Sequence, residues 1–141
     1  MVRRMRHRRL TVLVLCLFAA CLWRGYAAIM AVHLDVLTQT AAKLCAVVES
    51  GRGLTTQGMA EYVYPAQRAR EFLHQFSAQS SRASYKQFAA LVERYETLVR
   101  ETDAERATQP NWQQALPHLT AERDALAQQA ADVRAELARE G

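Results

Sequence analysis

Disulfides cannot be what holds this chain together. Two of its three cysteines, Cys16 and Cys21, fall inside an apolar run, which leaves Cys45 as the single thiol of the remainder and excludes an intrachain disulfide framework there. Cys45 sits between Leu44 and Val48 in an apolar stripe and reads as a small buried residue. Sustained apolar–polar alternation between turn residues is also missing, which argues against β-strands. Proline and glycine are scarce, with none between Tyr26 and Ser50, so nothing interrupts a helix over that stretch. Lysine is nearly absent: arginine outnumbers it 16 to 2, the usage of a GC-rich bacterial genome.

Catalytic and metal-binding patterns are lacking as well. The four histidines, His7, His33, His74 and His118, make no ligand spacing. Glu71-Phe-Leu-His74 is one Glu-x-x-His, whereas a di-iron bundle needs two such motifs and two further carboxylates. The serines of 77–84 have no paired base, and Gly51-Arg52-Gly53 follows a helical pattern, where a phosphate loop would follow a strand. The expectation is a non-enzymatic protein without cofactor or metal.

What is present begins at the N-terminus. Leu10–Trp23 is a 14-residue apolar run behind the basic stretch Met1–Arg9. Residues 1–24 hold six arginines and no acid, whereas residues 25–141 hold twelve Lys+Arg against fourteen Asp+Glu. The net charge of +4 is therefore a topology signal. A nucleic-acid-binding protein would carry its basic residues on the folded part, so none is expected as a partner. The expected organisation is a basic cytoplasmic tail (1–9), a membrane anchor (10–30) and a periplasmic helical domain (31–141), attached to a bacterial inner membrane as a single-pass protein.

Three fates of the N-terminus fit these residues. Leu10–Met30 supplies 21 residues, against the ~20 a spanning helix needs, with Arg24 near the outer edge and Trp23 and Tyr26 suited to the interface. Ile29, Val32, Val36, Leu37, Leu44 and Val48 then continue a helical stripe, so the anchor would run on into the domain. Alternatively, Gly25-Tyr26-Ala27 allows signal cleavage after Ala27. Phe18-Ala19-Ala20-Cys21 resembles a lipobox, which would make Cys21 a lipidation site.

The rest reads as an all-α, elongated helical bundle. The first helix stops at Ser50-Gly51-Arg52-Gly53, and a second runs from about Met59, interrupted by Pro65, with Ala66, Ala69, Phe72, Leu73 and Phe76 on one face. Ser84-Tyr-Lys-Gln87 fits a capping box. Tyr85, Phe88, Val92, Tyr95 and Val99 step by 3 and 4, a coiled-coil seam broadened by Leu91 and Leu98. Gln109-Pro110-Asn111 breaks the chain, and Leu119, Arg123, Leu126, Ala130, Val133 and Leu137 form a second seam after Pro117. Two seams joined by a short connection predict an antiparallel hairpin around 84–106 and 118–139.

From Glu49 onward the string Glu49-Ser-Gly51-Arg52-Gly53-Leu-Thr-Thr-Gln-Gly58, followed by Tyr62-Val-Tyr-Pro65, resembles the extracellular CHASE-type sensor domains (third class) of bacterial receptors. Gln109-Pro-Asn-Trp-Gln-Gln-Ala-Leu116 is similar to that family's turn before its next helix. The resemblance implies a membrane-anchored four-helix sensor-like bundle. These 141 residues contain no second apolar run and no output domain, so such a bundle would act through a partner.

The expected role is that of an accessory, adaptor or regulatory subunit contacting other envelope or membrane proteins, or itself, through helices. Ligand sensing and a spanin-like coiled-coil bridge across the periplasm are the alternatives. The shallow, alanine-rich side of the last helix, with Arg123, Ala127, Ala130 and Leu137, is the expected interaction face. The same residues also fit an internal seam with a snorkelling arginine.

Overall fold

The computed structural model describes residues 2–51, 53–108 and 112–141; Arg52 and Gln109-Pro110-Asn111 of the expected turns lie outside them. The described residues form four α-helices and no strand: α1 (Val2–Glu49), α2 (Thr56–Gln75), α3 (Ala83–Thr108) and α4 (Leu116–Glu140). Short 3-10 turns, Ser77–Gln79 and Trp112–Ala115, precede α3 and α4.

Each boundary has a local cause. The 48 residues of α1 reach about 70 Å at ~1.5 Å per residue. The helix ends where Gly51 adopts φ 70°, a left-handed conformation that costs glycine little, and its N–H closes onto the Val48 carbonyl at 3.2 Å. Thr55 caps α2, its Oγ1 accepting from the Gly58 N–H at 3.0 Å. Pro65 lies inside α2 and is buried there, so the helix begins three residues before Met59 and runs through the proline without interruption. A proline gives no N–H to the preceding turn and crowds its carbonyls. The Tyr95 hydroxyl, from α3, donates to the nearby Tyr62 carbonyl at 2.6 Å.

Consecutive helices pack side by side, α1 on α2, α2 on α3 and α3 on α4, and α4 closes the ring against α1. Short connections between neighbours make this an up-down-up-down four-helix bundle. Tyr26, Met30, Leu34, Leu37, Ala41, Leu44 and Val48 step along the inner side of α1. They meet Ala66, Ala69 and Phe72 of α2, Phe88, Leu91, Tyr95 and Leu98 of α3, and Leu119, Leu126, Ala130 and Val133 of α4. Cys45 is buried, its thiol directed at the Leu119 carbonyl at 3.4 Å. The expected hairpin is therefore present, as the α3–α4 half of a closed bundle.

The single stripe expected on α1 is in fact two. Leu37, Leu44 and Val48 are core, whereas Ile29, Val32 and Val36 face outward, 43%, 60% and 39% exposed. A helix of this length is apolar on opposite sides, and one-dimensional spacing merged them. The expected span 10–30 likewise mixes outward and inward residues. Tyr26 and Met30, placed by the sequence in the anchor, are core residues, and the continuously exposed apolar stretch is Leu10–Leu22. Apolar continuity does not distinguish a lipid-facing from a core-facing residue.

Ion pairs lie outside the core and join neighbouring helices: Asp35–Arg134 (α1–α4), Arg70–Glu96 (α2–α3) and Arg94–Glu122 (α3–α4), the last two bidentate. Their bonding to guanidinium holds the Glu122 carboxyl below the usual carboxylate range. Such exposed pairs fix neighbours more than they stabilise.

Burial raises the Tyr95 and Tyr62 phenols above their ordinary pKa of 10.0, with Glu61 adding to the shift of Tyr62. Above about pH 10 the unfolded chain releases these protons while the folded chain keeps them. Stability is therefore complete below pH 10 and falls as pH rises, by up to ~1.4 kcal/mol per pH unit for each suppressed tyrosine. Urea titrations between pH 9 and 11 check this slope. Tyr95→Phe should lessen it and cost about 1–2 kcal/mol at neutral pH through the lost bond to Tyr62.

Candidate functional site

The end of the bundle nearest Leu10–Leu22 concentrates the most unusual side-chain chemistry. Helix α1 enters the fold there, and the α2–α3 connection and the end of α4 meet it. Tyr26 is 1% exposed, its ring 5.8 Å from Phe72 and 5.6 Å from Phe76. Its hydroxyl is 2.9 Å from Ser84 Oγ, and Ser84 is itself fully buried. Glu140, from the last turn of α4, accepts both the Ser84 N–H at 3.0 Å and the Ser84 hydroxyl.

The expected capping box is thereby corrected. Lys86 N–H bonds back to Arg82 O, so Ser84 lies within the first turn of α3 and is not its cap. The orphan N–H is satisfied across the bundle by Glu140, a carboxylate at a helix N-terminus, where the helix dipole favours it. Arg82 completes the group, its guanidinium 4.4 Å from the centre of the Trp23 ring and 4.0 Å from Glu140. Gly141 also reaches this point; a Cβ on it would stand 3.1 Å from the Trp23 indole nitrogen. None of Arg82, Ser84 as a network centre, or Glu140 was singled out from sequence, because their proximity depends on bundle closure.

This arrangement is a clasp. It fastens the root of the exposed apolar run to three other elements of the bundle, and cleavage after Ala27 would remove two of its members, Trp23 and Tyr26. Cys21 lies outside it, exposed on α1. Glu140→Gln weakens an acceptor that is 13% exposed and serves a buried hydroxyl and an N–H. The expected loss is about 1–3 kcal/mol in chemical denaturation.

At the opposite end, Arg106 of α3 reaches the Leu54 carbonyl and Thr56 Oγ1, both at 3.3 Å, while its neighbour Asp103 holds it at 2.9 Å. This tethers the connection between α1 and α2. Glu49 is exposed at the end of α1, Gly51 makes the turn, and Gly53 has open space beside it. Tyr62 and Pro65 are buried in α2, committed to packing. An open groove of about 300 Å³ lies between α2 and α3, with Met59, Tyr62 and Val99 in its floor and Glu96, Arg100 and Asp103 at its rim.

The expected interaction face on α4 does not stay together. Ala130 and Leu137 point into the core, Ala127 is exposed, and Arg123 is half-buried and paired with Asp124 at 3.0 Å. Ala130 is buried with Leu126, Val133 and Leu137 where α4 packs against α1 and α3, whereas Ala127 stays on the surface. Glu71 pairs with Arg68 at 3.0 Å on the surface, and His74 is exposed. Among the described residues, no group of three or more His, Cys, Asp or Glu side chains is placed to hold a metal ion.

No family model, curated protein or solved structure matches this chain. Its function is therefore argued from the fold and its surfaces.

Proposed function

We propose that the N-terminal helix anchors this protein in a bacterial inner membrane. The bundle would then stand on the periplasmic side as a non-enzymatic accessory or adaptor subunit that works through helix-mediated contacts. The observation that carries the proposal is the exposed run Leu10–Leu22, continuous in one helix with the bundle core. The most apolar 18 residues of this helix have a mean hydropathy of 2.0 and are only 6% buried, unlike a helix that is apolar because it fills a core. Leu10–Leu22 alone reaches about 20 Å, short of the ~30 Å hydrocarbon core. Arg8 and Arg9 can snorkel at one end, and Trp23 and Arg24 suit the interface at the other. Arginines without acids on the N-terminal side favour a cytoplasmic tail.

Support for the adaptor role comes from the bundle surface. Beyond the anchor, α1 keeps Ile29, Val32 and Val36 exposed, and α2 keeps Val63 and Tyr64 exposed. Purification of the intact protein in mild detergent tests the role: a stoichiometric protein partner is expected, and a stable monomer with no companion would overturn it.

A second reading, ligand sensing through a signalling partner, has the α2–α3 groove in its favour. A small molecule seated there would raise the melting temperature by mass action, and Tyr62→Ala would abolish that rise. A ligand-induced rise unaffected by changes in the groove would remove it as the sensing site.

A further inference from the structure

We infer that the groove between α2 and α3 is a site for a small carboxylate with an apolar body, held by the Tyr62 hydroxyl and the Arg100 guanidinium. The inference rests on the ligand-sensing reading above and names the chemistry of its ligand. Tyr62 is only 7% exposed, yet its hydroxyl has no hydrogen-bond partner among the described residues. The buried hydroxyls of Tyr26 and Tyr95, by contrast, bond to Ser84 and to the Tyr62 carbonyl. Among the described residues, the one enclosed side-chain nitrogen or oxygen without a partner is Gln129 Oε1. The Tyr62 hydroxyl is therefore not enclosed, and it opens onto the groove that Tyr62 lines. So placed, it is a donor ready for an acceptor seated there.

Arg100 supplies the charge. It stands at the rim with Glu96 and Asp103, which lie one turn before and one turn after it on α3. Spacing alone would pair Arg100 with Glu96, its neighbour on the preceding turn. Instead Arg70 of α2 engages both Glu96 oxygens, at 2.9 and 2.6 Å. Arg106 holds Asp103 from two nitrogens, at 3.0 and 2.9 Å. Arg100 reaches the Thr97 hydroxyl at 3.4 Å and forms no ion pair among the described residues. Its two acidic neighbours are thus neutralised by other guanidiniums, and its own positive charge is left over at the rim.

Size and lining complete the match. At about 300 Å³ the groove lies at the lower end of small-molecule sites. Met59, Val63, Ala66 and Val99 give it an apolar lining, against which an alkyl chain or an aromatic ring leaves water. Burial, and next the Glu61 charge, push the Tyr62 phenol above its ordinary pKa of 10.0, so it stays protonated and donates. A neutral hydroxyl and a guanidinium both offer hydrogens. A carboxylate only accepts and satisfies both, whereas an ammonium only donates and is repelled by Arg100. An anion without an apolar body would leave the lining wet.

Calorimetric titration of the intact protein in lipid nanodiscs, which keep detergent out of the groove, tests this, with empty nanodiscs as the blank. The probes are hydrocinnamate, its neutral amide hydrocinnamamide and the cation phenylpropylammonium. Hydrocinnamate should bind with a dissociation constant of about 1 mM or lower, and at least about tenfold tighter than either analogue. Arg100→Gln should erase that preference. Tyr62→Phe should weaken hydrocinnamate binding about threefold to tenfold without lowering the melting temperature, because the hydroxyl it removes bonds to nothing within the fold. Equal binding of acid and amide, or acid binding unchanged by Arg100→Gln, would overturn the carboxylate assignment. If Tyr62→Ala still abolished that binding, the groove would stand as a sensing site for another chemistry. No saturable binding of any probe would overturn the assignment and count equally against the groove as a sensing site.

Discussion

Replacing Phe72 by alanine is expected to destabilise the bundle by about 3–5 kcal/mol, the range for deleting a buried aromatic side chain. Phe72 is 2% exposed and lies where three helices meet. Its ring is 5.8 Å from Tyr26, 4.8 Å from Phe76, 5.5 Å from Phe88 in an edge-on arrangement, and 5.3 Å from His33. His33 supplies a second readout. Burial, and next the nearby Arg68, lower its pKa from the ordinary 6.5. Opening the Phe72 site admits water to the imidazole and should move its titration back toward 6.5. Urea denaturation gives the first number and imidazole NMR shifts the second. A loss below about 1 kcal/mol, far under the range for a buried aromatic, would show that the three helices do not meet there.

Removing residues 1–27 is expected to have an effect of the same order, whereas removing residues 1–21 is not. A chain that starts at Leu22 keeps Trp23 under Arg82 and Tyr26 in the core. A chain that starts at Ala28 loses both, leaves Ser84 and Glu140 without the Tyr26 hydroxyl, and exposes Phe72 and Phe76. Loss of a buried tyrosine alone costs about 3–5 kcal/mol, a large part of the 5–15 kcal/mol that holds a domain of this size. The shorter chain should melt broadly or remain unfolded at room temperature, and the longer one should unfold cooperatively. Circular dichroism melts of the two decide it, and coincident midpoints would contradict the clasp. The same comparison bears on processing: cleavage before Cys21 is expected to preserve the bundle, and cleavage after Ala27 to disrupt it.

Periodicity made the helices legible. The seams of α3 and α4 are local patterns of 3 and 4, and every seam residue named from sequence on α3 beyond Tyr85 is buried. The turn at Ser50-Gly51 was legible because two glycines stand where a helical stripe stops. What periodicity does not carry is which of several apolar sides points inward. On α1, the outward Ile29, Val32 and Val36 and the inward Leu37, Leu44 and Val48 look alike in a list of apolar positions. On α4, Ala130 is buried between α1 and α3 while Ala127 is exposed, and the two look alike in the sequence.

The clasp was illegible for a different reason. Ser84 carries a capping pattern with Gln87, a local alternative that the long-range bond from Glu140, 56 residues away, replaces. Only closure of the four-helix ring brings these residues together, and nothing in the spacing of Trp23, Ser84 and Glu140 announces it. Pro65 shows the converse. A proline that would end an isolated helix is kept inside α2 by burial of its ring in the core.

The proposed role of α1 is to fasten the bundle to a membrane and leave it outside the cytoplasm. A reporter enzyme that becomes active only outside the cytoplasm, fused after Gly141 of the full chain, tests both parts when its activity is followed through membrane fractionation. The expected result is an active reporter that stays with the membrane after an alkaline wash. An inactive reporter, or an active one released by that wash, would contradict the account.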